Sequence, residues 1–290
     1  MNNNNEHELT ALPSQGIYNS VKQLYKNCRK KGNRDMITIS VISQKGGVGK
    51  STTSQALACY FSGHGYRTLL IDMDSQRNTS YYAKAKPRQH GILGVLNNPK
   101  TIESEIVESE LGFAAIPSTQ NTNTLDILLA DVVAKENRLK KGLKLISDKF
   151  DICVIDTPPH LGTALINALT ASDYAIIPTL TDIFSLQGIL DLKQTIEDVK
   201  EELNESLKVL GILITRYNSR QILTNELEKE LNKIADRMDT KVFTQKIRES
   251  VAIKESQLSR HNLIETKCKA TSDYIELCEA ISEEIQPFKE

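Results

Sequence analysis

The segment Ser43–Thr52, with the sequence SQKGGVGKST, restricts the fold of this chain more than any other feature. It follows an apolar run typical of a buried strand and precedes a stretch typical of a helix. Glycines allow the backbone to curl so that consecutive N–H groups face an anion, and the helix N-terminus adds its positive end. The segment therefore predicts a phosphate-binding loop between a strand and a helix.

Two side chains of this loop indicate what it binds. Lys50 is placed to bridge the β- and γ-phosphates of a nucleotide as a compact positive charge, and Ser51 supplies the hydroxyl expected on Mg²⁺. A dinucleotide-binding turn is a weaker interpretation, because its third glycine would fall on Thr52. A glycine-rich turn with chance lysines is weaker still. The residues expected to contact the nucleotide are Lys45, Gly46, Gly47, Val48, Gly49, Lys50, Ser51 and Thr52.

From Met36 onward, short β-branched runs alternate with longer amphipathic stretches. Several runs are almost continuously apolar, as expected for strands covered on both faces. This alternation indicates an α/β fold with a doubly wound, mostly parallel sheet flanked by helices. The predicted strands are Met36–Ile42, Thr68–Asp72, Gly112–Ile116, Asp151–Asp156, Tyr174–Ile177, Lys208–Ile214 and Lys241–Phe243. The predicted helices include Ser51–His64, Leu186–Asn204 and Thr224–Arg237.

Composition narrows the class of protein and its organisation. We interpret residues 1–35 as a polar and basic extension and residues 36–290 as a single domain. The formal net charge is −1, so any surface for nucleic acid must be a local patch. No apolar run approaches about 18 residues, the polar start is no secretory signal, and the five cysteines form no C-x-x-C pair. We therefore expect a cytoplasmic protein without a disulfide framework or a cysteine-bound metal.

Two acidic segments follow predicted strands and complete the expected site. The segment Thr68–Gln76 (TLLIDMDSQ) places Asp72 and Asp74 at a strand end, where they could hold Mg²⁺ through water and orient an attacking water. A pair of capping acids is the alternative interpretation. The segment Phe150–Pro159 (FDICVIDTPP) ends an apolar strand in Asp156, which could hold Mg²⁺ through its water shell. Ligands of doubly wound sheets bind at this edge.

Together these segments resemble the ParA/MinD superfamily, P-loop NTPases with a deviant Walker A motif. KGGVGKS resembles that motif, DMDSQ resembles the D-x-D-P-Q switch with Ser75 in place of proline, and DTPP resembles the D-x-P-P loop. The resemblance covers residues 36–285 and implies ATP and Mg²⁺ as cofactors. It implies that the catalytic residues are Lys45, Lys50 and Asp74, and that the metal-binding residues are Ser51, Asp72 and Asp156.

The resemblance also implies how these residues act. In this superfamily the lysine at the position of Lys45 reaches across a homodimer to the partner's nucleotide. Asp74 is expected to position the hydrolytic water, and Asp72 to support the metal and the switch. A later strand resembles the one that ends near the adenine, so Arg216 and Asn218 are expected beside the base.

Within the superfamily, the chain is most similar to the ParA-type ATPases that partition DNA. Iron–sulfur carriers of this group need bridging cysteines, which this sequence does not pair. A MinD-like, membrane-surface positioning ATPase is the main alternative. It is disfavoured because the segment Thr271–Glu290 carries six acids and only Lys289 as a base, whereas anionic lipid attracts basic helices. A metabolic P-loop enzyme is the third possibility.

The segment between Lys241 and Lys269 has seven basic residues against three acids. Within it, the stretches 247–250 and 252–255 resemble the family segment before the last helix, and the resemblance implies that this segment contacts DNA. Within it we expect Arg248, Lys254 and Arg260 to contact phosphates, which gives salt-sensitive, sequence-independent binding. A solvated charged face is the alternative. The resemblance implies non-specific double-stranded DNA, a ParB-like centromere-binding adaptor and a homodimer in the ATP state as partners, with no membrane. It implies a cytoplasmic, nucleoid-associated protein, and leaves plasmid and chromosome cargo open.

Overall fold

Seven strands form one sheet in the computed structural model, which describes residues 36–217 and 224–286. The strand order is β3-β4-β2-β5-β1-β6-β7, and all neighbours are parallel except the β3–β4 pair. This confirms the predicted doubly wound, mostly parallel sheet. The strands are β1 (Ile37–Val41), β2 (Thr68–Asp72), β3 (Val107–Glu108), β4 (Ala114–Ile116), β5 (Ile152–Asp156), β6 (Tyr174–Thr179) and β7 (Lys208–Ile214).

Two predictions of strands differ from the structure. The predicted strand Lys241–Phe243 is wrong, because Val242 forms only one isolated parallel bridge, to Ile212 of β7. The backbone leaves β7 after that residue and meets it again at Ile247, whose amide donates a hydrogen bond of 2.9 Å to the Ile214 carbonyl. Conversely, the antiparallel edge strand β3 was not predicted, since two residues are too few to show a period of two.

Eleven helices and four short 3-10 turns connect these strands within the described residues. The helices are α1 (Lys50–Gly63), α2 (Asn78–Tyr82), α3 (Ile92–Asn97), α4 (Ile102–Glu105), α5 (Leu125–Leu128), α6 (Arg138–Lys144), α7 (Thr163–Ala171), α8 (Ile183–Glu202), α9 (Thr224–Arg237), α10 (Val251–Ser259) and α11 (Lys269–Ile285). The 3-10 turns are Pro99–Thr101, Gln120–Thr124, Lys135–Asn137 and Leu263–Glu265. Three predicted helices are therefore present, and Thr224–Arg237 has the predicted bounds. The predicted extension 1–35 and the predicted adenine contact Asn218 lie outside the described residues.

Alternate residues of the central strands point to opposite faces of the sheet, as the strand period requires. Leu70 and Val154 belong to a core shared with α1, α10 and α11. Leu69 and Cys153 belong to a second core on the other face, shared with α3 and α6. Helices α8 and α9 cover the same face further along, against β6 and β7. Both faces are thus buried, which explains the continuously apolar strands.

The crossovers place the ends of three strands together. Strand β1 lies between β5 and β6. The chain passes from β1 into one half of the sheet, towards β2, and later from β5 into the other half, towards β6. Val41 at the end of β1 is in register with Asp156 of β5, and Asp156 is in register with Asp72 of β2. Crevices at such a switch point, outside the carboxyl ends of the strands, are where open α/β sheets bind ligands.

Candidate nucleotide-binding site

The loop between β1 and α1 has the backbone that anion binding requires. Gly47 and Gly49 have φ angles of 73° and 87°, in the left-handed region that favours glycine. A Cβ atom added at Gly46 or Gly47 would meet no atom within 4 Å, so the concave side of the loop is open. Thr215, after β7, donates a hydrogen bond of 2.8 Å to the Val48 carbonyl and anchors the loop. The cradle has the shape and the free N–H groups expected of a phosphate site.

Lys50 begins α1 and is almost fully buried under this loop, with 6% of its surface exposed. Its Nζ donates a hydrogen bond of 3.0 Å to the Lys45 carbonyl. Burial lowers the pKa of Lys50, while the nearby carboxylates of Asp156 and Asp74 act in the opposite direction. A buried cation beside two acids matches the expected phosphate-bridging position.

Lys45 points away from Lys50 although the two residues share one loop. Its Nζ lies 2.6 Å from Oδ2 of Asp182 and 3.2 Å from Oγ of Ser185, and a third of its side chain is exposed. Asp182 also caps α8, because its Oδ1 accepts a hydrogen bond of 2.9 Å from the Ser185 amide. Lys50 therefore lies near Asp74 and Asp156, whereas Lys45 contacts the N-terminus of α8.

Asp72 and Asp156 end neighbouring strands and are both buried. Asp72 accepts hydrogen bonds of 2.7 Å from the amide and the hydroxyl of Ser80, and one of 3.0 Å from the Asp74 amide. Burial is the main cause that raises the pKa of Asp72, and the charge of Asp156 adds to it. Asp72 thus holds the segment that follows β2 in place.

Asp156 accepts hydrogen bonds from three hydroxyl groups, which belong to helices α1 and α2. Thr79 donates to its Oδ2 at 2.6 Å, Ser54 donates to its Oδ1 at 3.3 Å, and the Ser51 hydroxyl is a further donor. Burial raises the pKa of Asp156, whereas the hydroxyls of Thr79 and Ser51 and the charge of Lys50 oppose that rise. A carboxylate beside the Ser51 hydroxyl offers the hard oxygen ligands that Mg²⁺ prefers, so the residues present fit this metal.

Asp74 lies in the turn that leaves β2. Its Oδ1 accepts a hydrogen bond of 2.9 Å from the Gln76 amide, which fixes the carboxylate at the wall of the site. Asp74 is 8% exposed and lines the same cavity as Lys50 and Ser51. Its position fits a group that orients water beside a bound phosphate.

Most residues of the phosphate loop, together with Asp74, line one cavity of about 640 Å³, within the usual range for small-molecule sites. Lys45, Val48, Asp72 and Asp156, which were also expected at the site, are not among its lining residues. Arg216 lines the cavity, with a left-handed φ of 50°, and its guanidinium pairs with Glu249 at 3.0 Å. The cavity extends past the loop to Tyr81 and Leu258, and so has room for a base beyond the phosphates.

Sequence reasoning missed a chain of hydrogen bonds that links α10 to Asp156. Gln257 of α10 donates to Gln55 at 2.6 Å and to Thr52 at 3.1 Å. Gln55, which is 1% exposed, donates in turn to Thr79 at 3.4 Å, and Thr79 bonds Asp156. These polar residues sit in ordinary helical sequence, so no local motif marks them.

The three residues expected to contact DNA do not form one free basic face. Arg248 makes a bidentate pair with the buried Asp273, with bonds of 2.8 and 2.7 Å. Lys254 pairs with Glu249 at 3.3 Å. The guanidinium of Arg260 instead lies 3.9 Å from the centre of the Tyr81 ring.

The C-terminal helix α11 is built into the protein core. Its apolar residues, including Tyr274, Leu277 and Ile281, are buried against α1 and the sheet. Among residues 36–217 and 224–286, no helix is long and apolar enough to cross a membrane.

Comparison with known proteins identifies relatives of this architecture. A model of the AAA domain family matches residues 36–209. The chromosome partitioning protein ParA of Myxococcus xanthus is 35% identical over 198 residues, which cover 67% of this chain and 69% of that protein.

Two solved structures extend the similarity over more of the chain. A plasmid partition protein of Borrelia burgdorferi bound to AMPPNP is 28% identical, with a TM-score of 0.70 over 87% of this chain and all of that one. Cobyrinic acid a,c-diamide synthase of Mycobacterium smegmatis, bound to an ATP analogue and magnesium, is 26% identical, with a TM-score of 0.75 over 87% and 96%. By sequence and by fold, the chain belongs to the AAA domain family and, within it, to the ParA-type ATPases.

Proposed function

We propose that this chain is an ATP-driven switch that partitions plasmid or chromosomal DNA. The main support for the proposal is that the two lysines of this loop have different surroundings. Lys50 is buried beside Asp74 and Asp156, whereas Lys45 stands at the surface on the Asp182 side. A hydrolase that acts alone needs only the first lysine. Lys45 is not needed for that reaction, and we assign it to the nucleotide of a second copy of the chain.

Different residues of the site bind ATP, hold Mg²⁺ and orient the attacking water. The loop amides and Lys50 bind the β- and γ-phosphates, and Asp74 orients the water that attacks the γ-phosphate. Ser51 and Asp156 would hold Mg²⁺, with Asp72 supporting them from the next strand. The metal would neutralise charge on the phosphate oxygens. The AMPPNP and the ATP analogue with magnesium in the two similar structures support these assignments.

Lys45 makes ATP binding a dimerisation signal. In a homodimer it leaves Asp182 and neutralises γ-phosphate charge in the partner's site, so the ATP state favours association. Hydrolysis removes that charge and releases the partner. Turnover is slow until a ParB-like, centromere-binding adaptor stimulates it. The dimer binds double-stranded DNA without sequence preference and works in the cytoplasm, on the nucleoid. The partition proteins among the relatives support this assignment.

The membrane-surface alternative is disfavoured by α11. Its apolar side chains are already buried in the core, and between Asp273 and Glu284 it carries five acids. A helix that lies on anionic lipid needs a free apolar face and a basic one. We therefore expect no co-sedimentation with anionic vesicles in the presence of ATP, and co-sedimentation would support the membrane-positioning function instead.

The test of the proposal combines phosphate release with molar mass measured by light scattering. Wild type should hydrolyse ATP slowly and form dimers with ATP but not with ADP. Lys50→Ala should abolish both hydrolysis and nucleotide binding. Lys45→Ala should keep nucleotide binding and lose the ATP-dependent dimer. Hydrolysis at the same rate by a strictly monomeric wild type and by Lys45→Ala would contradict the switch.

A further inference from the structure

Four basic side chains surround a second cavity beside the nucleotide site. This cavity has a volume of about 410 Å³. We call Arg77, Lys84, Lys86 and Arg260, which line it, the basic cleft. The two cavities share three wall residues, Gln76, Asn78 and Tyr81.

The charge of the basic cleft is poorly compensated. From Ser75 to Ile102 the sequence contains five basic residues and no Asp or Glu. Within residues 36–217 and 224–286, Arg77, Lys86 and Arg260 form no ion pair with a carboxylate. Lys84 pairs with Glu110. The hydrogen bond from Lys84 is the main cause that lowers the pKa of Glu110, and Arg260 contributes as well. Glu110, which is exposed, thus acts on Lys84 and Arg260.

In the segment expected to bind DNA, by contrast, basic residues are paired with acids. Four of its basic residues each hold a carboxylate at 2.6–3.3 Å. The pairs are Lys241–Glu284, Lys246–Glu228, Arg248–Asp273 and Lys254–Glu249. A cation that already holds an acid must break that pair before it can release counterions from a phosphate, so these residues offer little binding free energy.

The fold holds the cations of the cleft in place. Arg77, Lys84 and Arg260 have φ angles of 61°, 53° and 54°, in the left-handed region. Non-glycine residues persist there only where surrounding structure imposes it, and such positions cluster at functional sites. The guanidinium of Arg260 lies over the half-exposed Tyr81 ring, which orients its free edge.

Hydrogen bonds also connect the basic cleft to Asp72 and Asp74, which the sequence predicts to respond to the nucleotide. The Arg77 amide donates a hydrogen bond of 2.9 Å to the Asp74 carbonyl. The Ser80 hydroxyl donates to Asp72 at 2.7 Å and accepts a hydrogen bond of 2.9 Å from the Ser118 amide. A movement of Asp72 and Asp74 on nucleotide exchange would therefore move one wall of the cleft.

We propose that the basic cleft, rather than Arg248 and Lys254, binds the phosphate backbone of DNA. The inference rests on the proposed DNA-binding function and names the surface that performs it. Backbone phosphates fit because all four charged side chains of the cleft are cations, the groups that contact phosphate without reading sequence. Of the residues predicted from sequence, Arg260 belongs to this surface.

The experiment measures binding of a fluorescent duplex to the full chain with ATP, over a series of salt concentrations. The test variant is Lys84→Ala/Lys86→Ala. The matched control is Lys140→Ala/Lys144→Ala, which removes the same charge from exposed lysines of α6. Each lost phosphate contact should lower the slope of log K against log salt by about 0.9 and the affinity at 0.1 M salt by roughly tenfold.

We expect the test variant to lose both affinity and slope, and the control to match wild type. Glu110→Gln should bind more tightly, since it removes the acid that pairs with Lys84 and so competes with phosphate. This second variant keeps the proposal testable if the double variant is unstable by circular dichroism. The proposal that the cleft binds DNA would be overturned if the double variant kept the wild-type salt slope and Glu110→Gln kept the wild-type affinity. The proposed DNA-binding function would then still stand. A wild-type chain that ignores DNA with ATP would overturn both.

Discussion

Lys45 and Asp182 form an ion pair within one chain, with 2.6 Å between Nζ and Oδ2. In the proposed dimer Lys45 must serve the partner's phosphate instead, so this pair opposes association. Both side chains are about one-third exposed, so the pair contributes about 0.2–1 kcal/mol.

Asp182→Asn tests this opposition, because Asn caps a helix as well as Asp but carries no charge. The variant should reach half-maximal dimerisation with ATP at roughly two- to fivefold lower protein concentration, as measured by light scattering. Glu197→Gln, which removes an exposed ion pair further along α8, is the control and should behave as wild type. An unchanged or weaker dimer in Asp182→Asn would show that the pair does not restrain Lys45.

Thr79 is expected to support Mg²⁺ binding through Asp156, to which it donates a hydrogen bond of 2.6 Å. Thr79→Val keeps the shape but removes the donor, and losses of such outer partners typically weaken metal affinity by about 10–100-fold. The Mg²⁺ concentration for half-maximal ATP hydrolysis should therefore rise about tenfold. Thr170→Val is the control, since the Thr170 hydroxyl is buried without a hydrogen-bond partner among the described residues. An equal rise in both variants would refute the role of Thr79.

Arg248 is expected to stabilise the fold through Asp273. Arg248→Ala leaves a nearly buried carboxylate with the Arg248 amide as its remaining partner from this pair, and should lower the free energy of unfolding by about 2 kcal/mol. Lys254→Ala, which breaks an exposed pair, should cost less than about 1 kcal/mol. Urea unfolding measures both. If Arg248→Ala unfolds at the wild-type urea concentration, the pair contributes nothing and any loss of DNA binding reflects a direct contact.

Glycine is needed at position 211 of β7 because a neighbouring side chain leaves no space for a Cβ atom, and not because of its backbone conformation. A Cβ atom there would lie 2.6 Å from the ring of the buried Phe243. Gly211→Ala should therefore destabilise the protein by about 1–3 kcal/mol. Gly188→Ala in α8, where an added Cβ meets nothing within 4 Å, should instead stabilise it by about 0.5–1 kcal/mol. Thermal unfolding of both variants measures the contrast, and a loss of stability of the same size in both would contradict the account.

The sequence predicted the central sheet because its strands are buried on both faces and are apolar throughout. It also predicted the phosphate loop and the aspartates that follow the strands. The loop and Asp74 line one cavity, whereas Asp72 and Asp156 are buried and do not line it. One strand prediction failed because a local strand pattern is not matched by strand pairing in the fold. Val242 lies in an apolar, β-branched run but pairs through a single bridge.

The distribution of charge could not be predicted for a related reason. Basic residues are visible in a sequence, but the acids that neutralise them are not adjacent. Asp273 follows Arg248 by 25 residues, and Glu284 follows Lys241 by 43. The segment 241–269 therefore looks more basic than its surface is, whereas the basic cleft joins residues from two distant segments.

The most direct test of the account is duplex binding by wild type with ATP, with ADP and without nucleotide, beside Lys50→Ala with ATP. The account predicts that DNA is bound only by wild type with ATP and that this binding falls steeply with salt. Equal binding in all four conditions would contradict a nucleotide-controlled switch. Hydrolysis of ATP by a chain that binds no DNA in any condition would contradict its role in partitioning.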